Sequence, residues 1–206
     1  MPKRRRRSRR NSHPVAATWI FVMILLVLGG GMLIRGKIKT EMQTGQVTQT
    51  SSSDASGETA AQQAFIKKMA KPAVRVYREN GQVLPSIVIA QAILESSWGT
   101  SALFLQANNP FGVKGSYQGS TKRFPTTEYV NNKKITVNAY FRDYPTLTAA
   151  ILDHDTLLKQ SYFKQTVTDY QTAAKLLQQN GYATDPHYAR KLTNLIATYN
   201  LNEYDT

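Results

Sequence analysis

The segment VAATWIFVMILLVLGGGMLI, Val15 to Ile34, runs for about twenty residues without a charge, and it constrains the chain more than any other feature. As a helix rising about 1.5 Å per residue it spans the roughly 30 Å hydrocarbon core of a bilayer. The cluster PKRRRRSRR precedes it, and such a cluster stays on the cytoplasmic side, which directs the C-terminal bulk outward. Arg35, Lys37 and Lys39 on the far side oppose this orientation but are outnumbered. A cleaved signal peptide would have a shorter apolar core, and no A-x-A-like site follows the run. The reading is therefore a cytoplasmic basic segment (1–14) and a transmembrane signal-anchor helix (15–34) in a single-pass membrane protein. Beside a membrane span, the arginine run serves as a topology signal and a contact for anionic lipid. No nucleic-acid partner is expected.

Beyond the run, residues 35–59 are rich in Thr, Ser, Gln and Gly and nearly free of large apolar side chains. Such a segment cannot bury a core and reads as a flexible extracellular stalk. The composition shifts near residue 60, where a folded domain (60–206) begins. The full chain carries a net charge of +13, with about ten basic residues and no acid in its first 40 positions. From residue 60 onward, 16 basic against 10 acidic residues leave 16 − 10 = +6, an excess that suits a polyanionic partner. The chain has no cysteine, which excludes disulfides and a thiol nucleophile.

Periodicity places the elements of this domain. Phe65, Ile66 and Met69 have helical spacing, and Pro72 is expected to split that segment into two short helices. LPSIVIAQAILESSW is the next helix, started by Pro85 or Ser86, with Ile87, Ala90 and Leu94 as its buried stripe and Gly99 as its stop. ANNPFGVKGSYQGST reads as a loop. Two strand-like runs flank NNKK, and Ile135, Val137, Ala139 and Phe141 alternate along the second. Helical pattern returns in TLTAAILDHDTLLKQ, DYQTAAKLLQQNG and DPHYARKLTNLIATYN; the last has Asp185 as N-cap, Pro186 at its first position, and Tyr188, Leu192, Leu195 and Tyr199 as its apolar face. The fold class is α+β, mainly helical with one hairpin inserted about midway.

The available chemistry is narrow. His13, His154 and His187 stand far apart without a metal-ligand spacing, so neither a metal nor another cofactor is called for. No G-x-S-x-G and no phosphate-cradling glycine loop occurs. Carboxylate chemistry remains, and the folded region offers Glu79, Glu95 and Glu128 before the last helix. Glu79, in YRENG, is an ordinary exposed helix end. Glu95, in AQAILESSWGTS, falls in the last turn of its helix, where the macrodipole is negative, beside Leu94 and Trp98. Both the dipole and burial push its pKa upward, as a general acid that protonates a glycosidic oxygen requires. A carboxyl group held against a tryptophan is the pattern of lysozyme.

These motifs together, AQAILESSWGTS, NNPFGVKG, the hairpin bearing TTEY, YFRDYPT and NGYATDPHYARKL, resemble glycoside hydrolase family 73, the bacterial endo-β-N-acetylglucosaminidases of peptidoglycan. The resemblance covers about Phe65 to Tyr204, with the motifs in the family's order. It implies a lysozyme-like fold with a helical lobe and a small β-hairpin lobe flanking a glycan groove. It also implies hydrolysis of the β-1,4 bond after N-acetylglucosamine in the cell wall, with Glu95 as general acid and Glu128 as general base or transition-state stabiliser. Tyr182 falls on the family's substrate-positioning tyrosine. Asn109 and Phe111 match its groove floor beside Glu95, Trp98 is assigned with them and Tyr182 to substrate binding, and Tyr188, in the same motif as Tyr182, is assigned to the core. Asp143, Asp153 and Asp155 read as caps or solvated charges rather than catalytic groups. The alternatives are a lytic transglycosylase or muramidase on the same fold, or an inactive membrane-tethered wall-binding module.

Overall fold

The computed structural model describes residues 59–130 and 133–206, with the side chains of residues 128–130 and 133–134 outside that description. The predicted basic segment, apolar run and stalk up to residue 58 lie outside the described residues. Among those described, no helix is long and apolar enough to cross a membrane.

Helix α1 (Ala60–Asn80) opens on a capping box, in which the Thr59 hydroxyl accepts from the Gln62 N–H and the Gln62 side chain accepts from the Thr59 N–H. It does not break at Pro72, contrary to expectation. Proline costs about 3 kcal/mol inside an isolated helix. Here Phe65, Ile66 and Met69 before it and Ala73 and Val76 after it all stay buried on one continuous helix. Each large apolar side chain gains roughly 1.5–3 kcal/mol by burial, so the continuous stripe outweighs one missing hydrogen bond.

Helix α2 (Pro85–Ser96) starts at its proline as expected. It has no single apolar stripe, because every residue from Pro85 to Ile93 is buried, while Leu94 is half-buried. A helix that is apolar all round belongs at a domain's centre. α2 accordingly packs against α1 and against the C-terminal elements α5 (Tyr170–Gln179), α6 (Tyr188–Thr198) and a closing 3-10 turn, Leu201–Tyr204. A short helix, α3 (Ala102–Ala107), not foreseen from sequence, follows α2.

Strands β1 (Thr121–Val130) and β2 (Lys133–Arg142) form a two-stranded antiparallel sheet whose register pairs Lys122 with Phe141, Thr126 with Val137 and Glu128 with Ile135. Along the alternating set of β2, Phe141 is buried, Ala139 and Val137 are half-buried and Ile135 is exposed. The apolar face is thus covered at the hairpin's base and open toward its tip. Helix α4 (Leu147–Ser161) follows, capped by Thr146, and α5 is capped by Asp169.

α6 begins later than its sequence suggests. Its N-cap position is His187, while Asp185 accepts the His187 N–H two residues on and its carbonyl accepts from Tyr188. Asp185 therefore builds a turn before the helix rather than capping it. The fold as a whole is mainly helical with one small antiparallel sheet.

Candidate active site

Glu95 is the penultimate residue of α2. Beyond Ser96 the chain passes through three consecutive left-handed residues, Ser97 (φ 51°), Trp98 (φ 60°) and Gly99 (φ 74°). Left-handed backbone is unfavourable for non-glycine residues, so the surroundings must hold this corner. The buried Ser96 hydroxyl accepts the Gly99 N–H at 2.8 Å, and the Trp98 ring meets Phe65 edge-on at 6.2 Å and Tyr199 at 4.9 Å. A Cβ on Gly99 would lie 2.5 Å from the Phe65 ring, so position 99 must be glycine for space as well as for φ. The predicted stop at Gly99 is the far end of this corner. The half-buried Trp98 braces it against α1 and the end of α6.

The carboxyl group of Glu95 has a defined partner. The Tyr188 hydroxyl, at the start of α6, donates to Glu95 Oε1 at 3.0 Å, and the Gln91 side-chain amide donates to the same Tyr188 oxygen at 3.0 Å. Burial pushes the Glu95 pKa from 4.5 up to about 8, against the opposing pull of the Tyr188 hydroxyl and of the Lys191 ammonium. The residue as a whole is half-buried, and the raised pKa favours the protonated carboxyl group at neutral pH. Lys191 is itself held by Asp185 at 2.6 Å, so the turn before α6 sets the charge that faces Glu95.

Behind Tyr188 lies a buried run of rings. Tyr182 stacks on Tyr188 at 5.4 Å and meets Tyr162 edge-on at 5.2 Å; its hydroxyl is 3.4 Å from His154 Nε2, and His154 stacks on Phe111 at 3.8 Å. The structure thus joins Glu95, Tyr182 and Phe111, three of the predicted site residues, through Tyr188 and His154. Tyr182 is 2% exposed and Phe111 1%, so they present almost no surface to a ligand and instead fix Tyr188 from behind. Burial also lowers the His154 pKa to about 3, which keeps this ring neutral. Tyr188 is buried, as the sequence reading had it, and it also touches the acid.

Asn109 is buried too, and its work is structural. Its amide donates to the carbonyls of Val113 (3.0 Å) and Arg142 (2.9 Å) and accepts from the Val113 N–H (3.1 Å), tying the loop after α3 to the end of β2. Arg142 pairs with Asp153 on α4, which also accepts from the Tyr144 hydroxyl at 2.6 Å. Asp143 pairs with Lys122 at 3.1 Å and accepts from Ser120 at 3.0 Å. These contacts clamp the base of the hairpin. Glu128 lies on β1 opposite Ile135, beyond the clamp.

Asp155 departs from the expected solvated aspartate. It is buried, neither carboxylate oxygen has a hydrogen-bond partner, and burial pushes its pKa from 3.8 up to about 8. Among the described residues no group of three or more His, Asp or Glu side chains converges as a metal site would need. A surface concavity of about 560 Å³ lies along the outer side of α1, lined by Lys71, Arg75, Arg78 and Tyr204 among others, and includes none of the candidate residues.

A mainly helical domain with one small antiparallel hairpin and a buried carboxyl group at a helix end has the architecture of the lysozyme-like glycoside hydrolases. The family model described as mannosyl-glycoprotein endo-β-N-acetylglucosaminidase matches residues 71–201, and the chain belongs to that glucosaminidase family. It is 43% identical over 152 residues to the exo-glucosaminidase LytG of Bacillus subtilis (strain 168), a match covering 70% of this chain and 54% of that protein. It is 36% identical over 187 residues to a probable N-acetylmuramidase of Lactococcus lactis subsp. lactis (strain IL1403), covering 85% of this chain and 42% of that protein. The chain thus spans about half the length of these relatives. The crystal structure of the catalytic domain of the autolysin Auto from Listeria monocytogenes superposes with a TM-score of 0.66 at 36% identity, covering 73% of this chain and 90% of that one.

Sequence reasoning assigned no role to Gln91, Lys191 or His154. Gln91 carried a signal, as the one polar residue in the run IVIAQAIL, four positions before Glu95 on the same helix face. His154 and Lys191 carried none, because their partners come from distant segments.

Proposed function

We propose that this chain hydrolyses the β-1,4 bond following N-acetylglucosamine in peptidoglycan, as an endo-β-N-acetylglucosaminidase. The observation that carries the reading is Glu95, whose pKa burial pushes up to about 8 and which Tyr188 holds, at the end of α2 in a glucosaminidase-family fold. Glu95 donates its proton to the glycosidic oxygen as that C–O bond breaks and positive charge develops at the anomeric carbon. In one route water adds to that carbon and passes its proton to Glu128. In the other, the substrate's own acetamido oxygen bonds the anomeric carbon first and water opens the resulting ring, with Glu128 stabilising charge. Either way the Glu95 carboxylate is left to be reprotonated. The uncharged run Val15–Ile34 behind its basic cluster supports a membrane anchor that presents the domain, with its +6 charge, to the anionic wall outside the cell.

Digestion of purified peptidoglycan with the full chain, followed by mass spectrometry of the new ends, tests this reading. Reducing N-acetylglucosamine ends on oligosaccharide products are expected. Reducing muramic ends would assign a muramidase instead, anhydro ends a lytic transglycosylase, and release of single sugars an exo-acting enzyme. No new ends would leave a wall-binding module.

A further inference from the structure

The amide of Gln91 sits one helical turn before Glu95 on α2, fully buried, and meets the same tyrosine hydroxyl that meets the acid. A phenol has one proton to give and lone pairs to receive with. Gln91 Nε2 donates into the Tyr188 oxygen at 3.0 Å, so the one proton of Tyr188 is left for an acceptor, and Glu95 Oε1 stands 3.0 Å away. An oxygen that accepts this bond is the carbonyl oxygen of a carboxylic acid, so the acid proton resides on Oε2. Oε2 has no hydrogen-bond partner within the described residues, and it does not stand with the sealed, unpaired polar atoms of the interior. We infer that Gln91 is a positioning residue for the acid: by donating to Tyr188 it sets the direction of the chain Gln91→Tyr188→Glu95 and keeps the transferable proton on the outward oxygen of Glu95.

The opposite orientation of the same amide would do the reverse. Tyr188 would donate to Gln91, Glu95 would donate to Tyr188, and the acid proton would be locked against the tyrosine. The observed direction has a cost, because it leaves Gln91 Oε1 buried without a partner. A polar side chain with an unsatisfied atom in an otherwise apolar helix calls for a function that offsets the penalty. Directing the proton of Glu95 is that function. The groups that face Glu95 are few: Tyr188 and Lys191 from α6, and Tyr182, from the connection before α6, whose own ionisation Glu95 opposes. Of these only Tyr188 touches Gln91, so the effect of Gln91 must pass through it.

The inference rests on Glu95 being the acid, and its test separates the two ideas. The titration of the Glu95 carboxyl carbon, followed by NMR in the full chain, needs no activity. In the observed direction Tyr188 stabilises the ionised carboxylate, so Tyr188→Phe moves the Glu95 midpoint upward from about 8, by about one pH unit. Gln91→Leu moves it the same way by less, since an amide donor strengthens the phenol it feeds. Added to Tyr188→Phe, it moves it no further. In turnover, Gln91→Leu lowers kcat several-fold with KM nearly unchanged and carries the alkaline limb of the kcat–pH profile upward. A downward shift in Tyr188→Phe would show the reversed chain and overturn the inference; an unmoved midpoint would show no chain and overturn it as well. Should Gln91→Leu act equally with or without Tyr188, its role is packing and the inference fails. If the titrations behave as expected while Glu95→Gln retains turnover, the catalytic reading falls and the hydrogen-bond direction stands.

Discussion

The two predicted carboxylates sit in unlike regions. Glu95 ends a central helix buried on nearly every side, and tertiary contacts from α1 and α6 brace its corner and its partner. Glu128 lies on a two-stranded hairpin whose base is clamped by Asn109, Arg142 and Asp153 and whose apolar face opens toward the tip. The difference teaches that the protonation of Glu95 is set by burial in the packed core. The position of Glu128 depends on how firmly a small lobe is held. A desolvated carboxyl group needs a rigid, dry wall, which an open two-stranded hairpin does not supply.

Removing the proton donor gives the largest effect. Glu95→Gln keeps the shape and lowers wall hydrolysis by roughly 10³-fold or more, toward the upper part of the range for a positioned general acid. Turnover close to normal in a folded protein breaks the comparison at its first side. Glu128→Gln is expected to lower turnover by roughly 10²-fold with little change in stability. If turnover is unchanged at matched melting behaviour, Glu95 is the only carboxylate in the mechanism and the hairpin carries no chemistry.

The clamp tests whether the hairpin's hold matters. Asp153→Asn weakens the pair with Arg142 and the bond from Tyr144, both partly buried. It should destabilise the domain by about 2 kcal/mol and lower kcat by roughly tenfold through misplacement of β1. Urea unfolding and steady-state kinetics check the two numbers, and loss of stability with full activity would uncouple the lobe from the reaction.

The last effect, on stability against pH, leaves turnover aside. Glu95 and Asp155 have folded pKa values of about 8, against 4.5 and 3.8 unperturbed. Between those limits the unfolded chain releases protons that the folded chain keeps, so their contribution is complete below about pH 4 and is lost as pH rises toward 8. His154 runs the other way, since it is neutral in the fold down to about pH 3 and would take a proton at 6.5 when unfolded. Asp155→Asn should therefore gain stability over the parent on going from pH 4 to pH 8, on the order of a few kcal/mol, read from urea unfolding. An equal difference at both pH values would mean that Asp155 ionises freely in the fold.

Local features were legible in the chain because their causes are local. Pro85 starts α2, Gly99 closes the corner after it, the hairpin follows its alternation, and Glu95 stands at a helix end whichever neighbours it meets. These follow from backbone sterics, capping and periodicity within a few residues. The tertiary structure decided what required distant partners. It carried α1 through Pro72, because the buried stripe on both sides outweighs one lost hydrogen bond. It turned Asp185 from a cap into the holder of Lys191, and it buried Tyr182 and Phe111 in a run of rings behind Tyr188. Above all it brought Tyr188 to Glu95 across 93 positions of sequence, with Gln91 behind it. Hydrogen-bond direction and desolvation depend on atoms that only the packed core assembles, and no spacing along the chain encodes them.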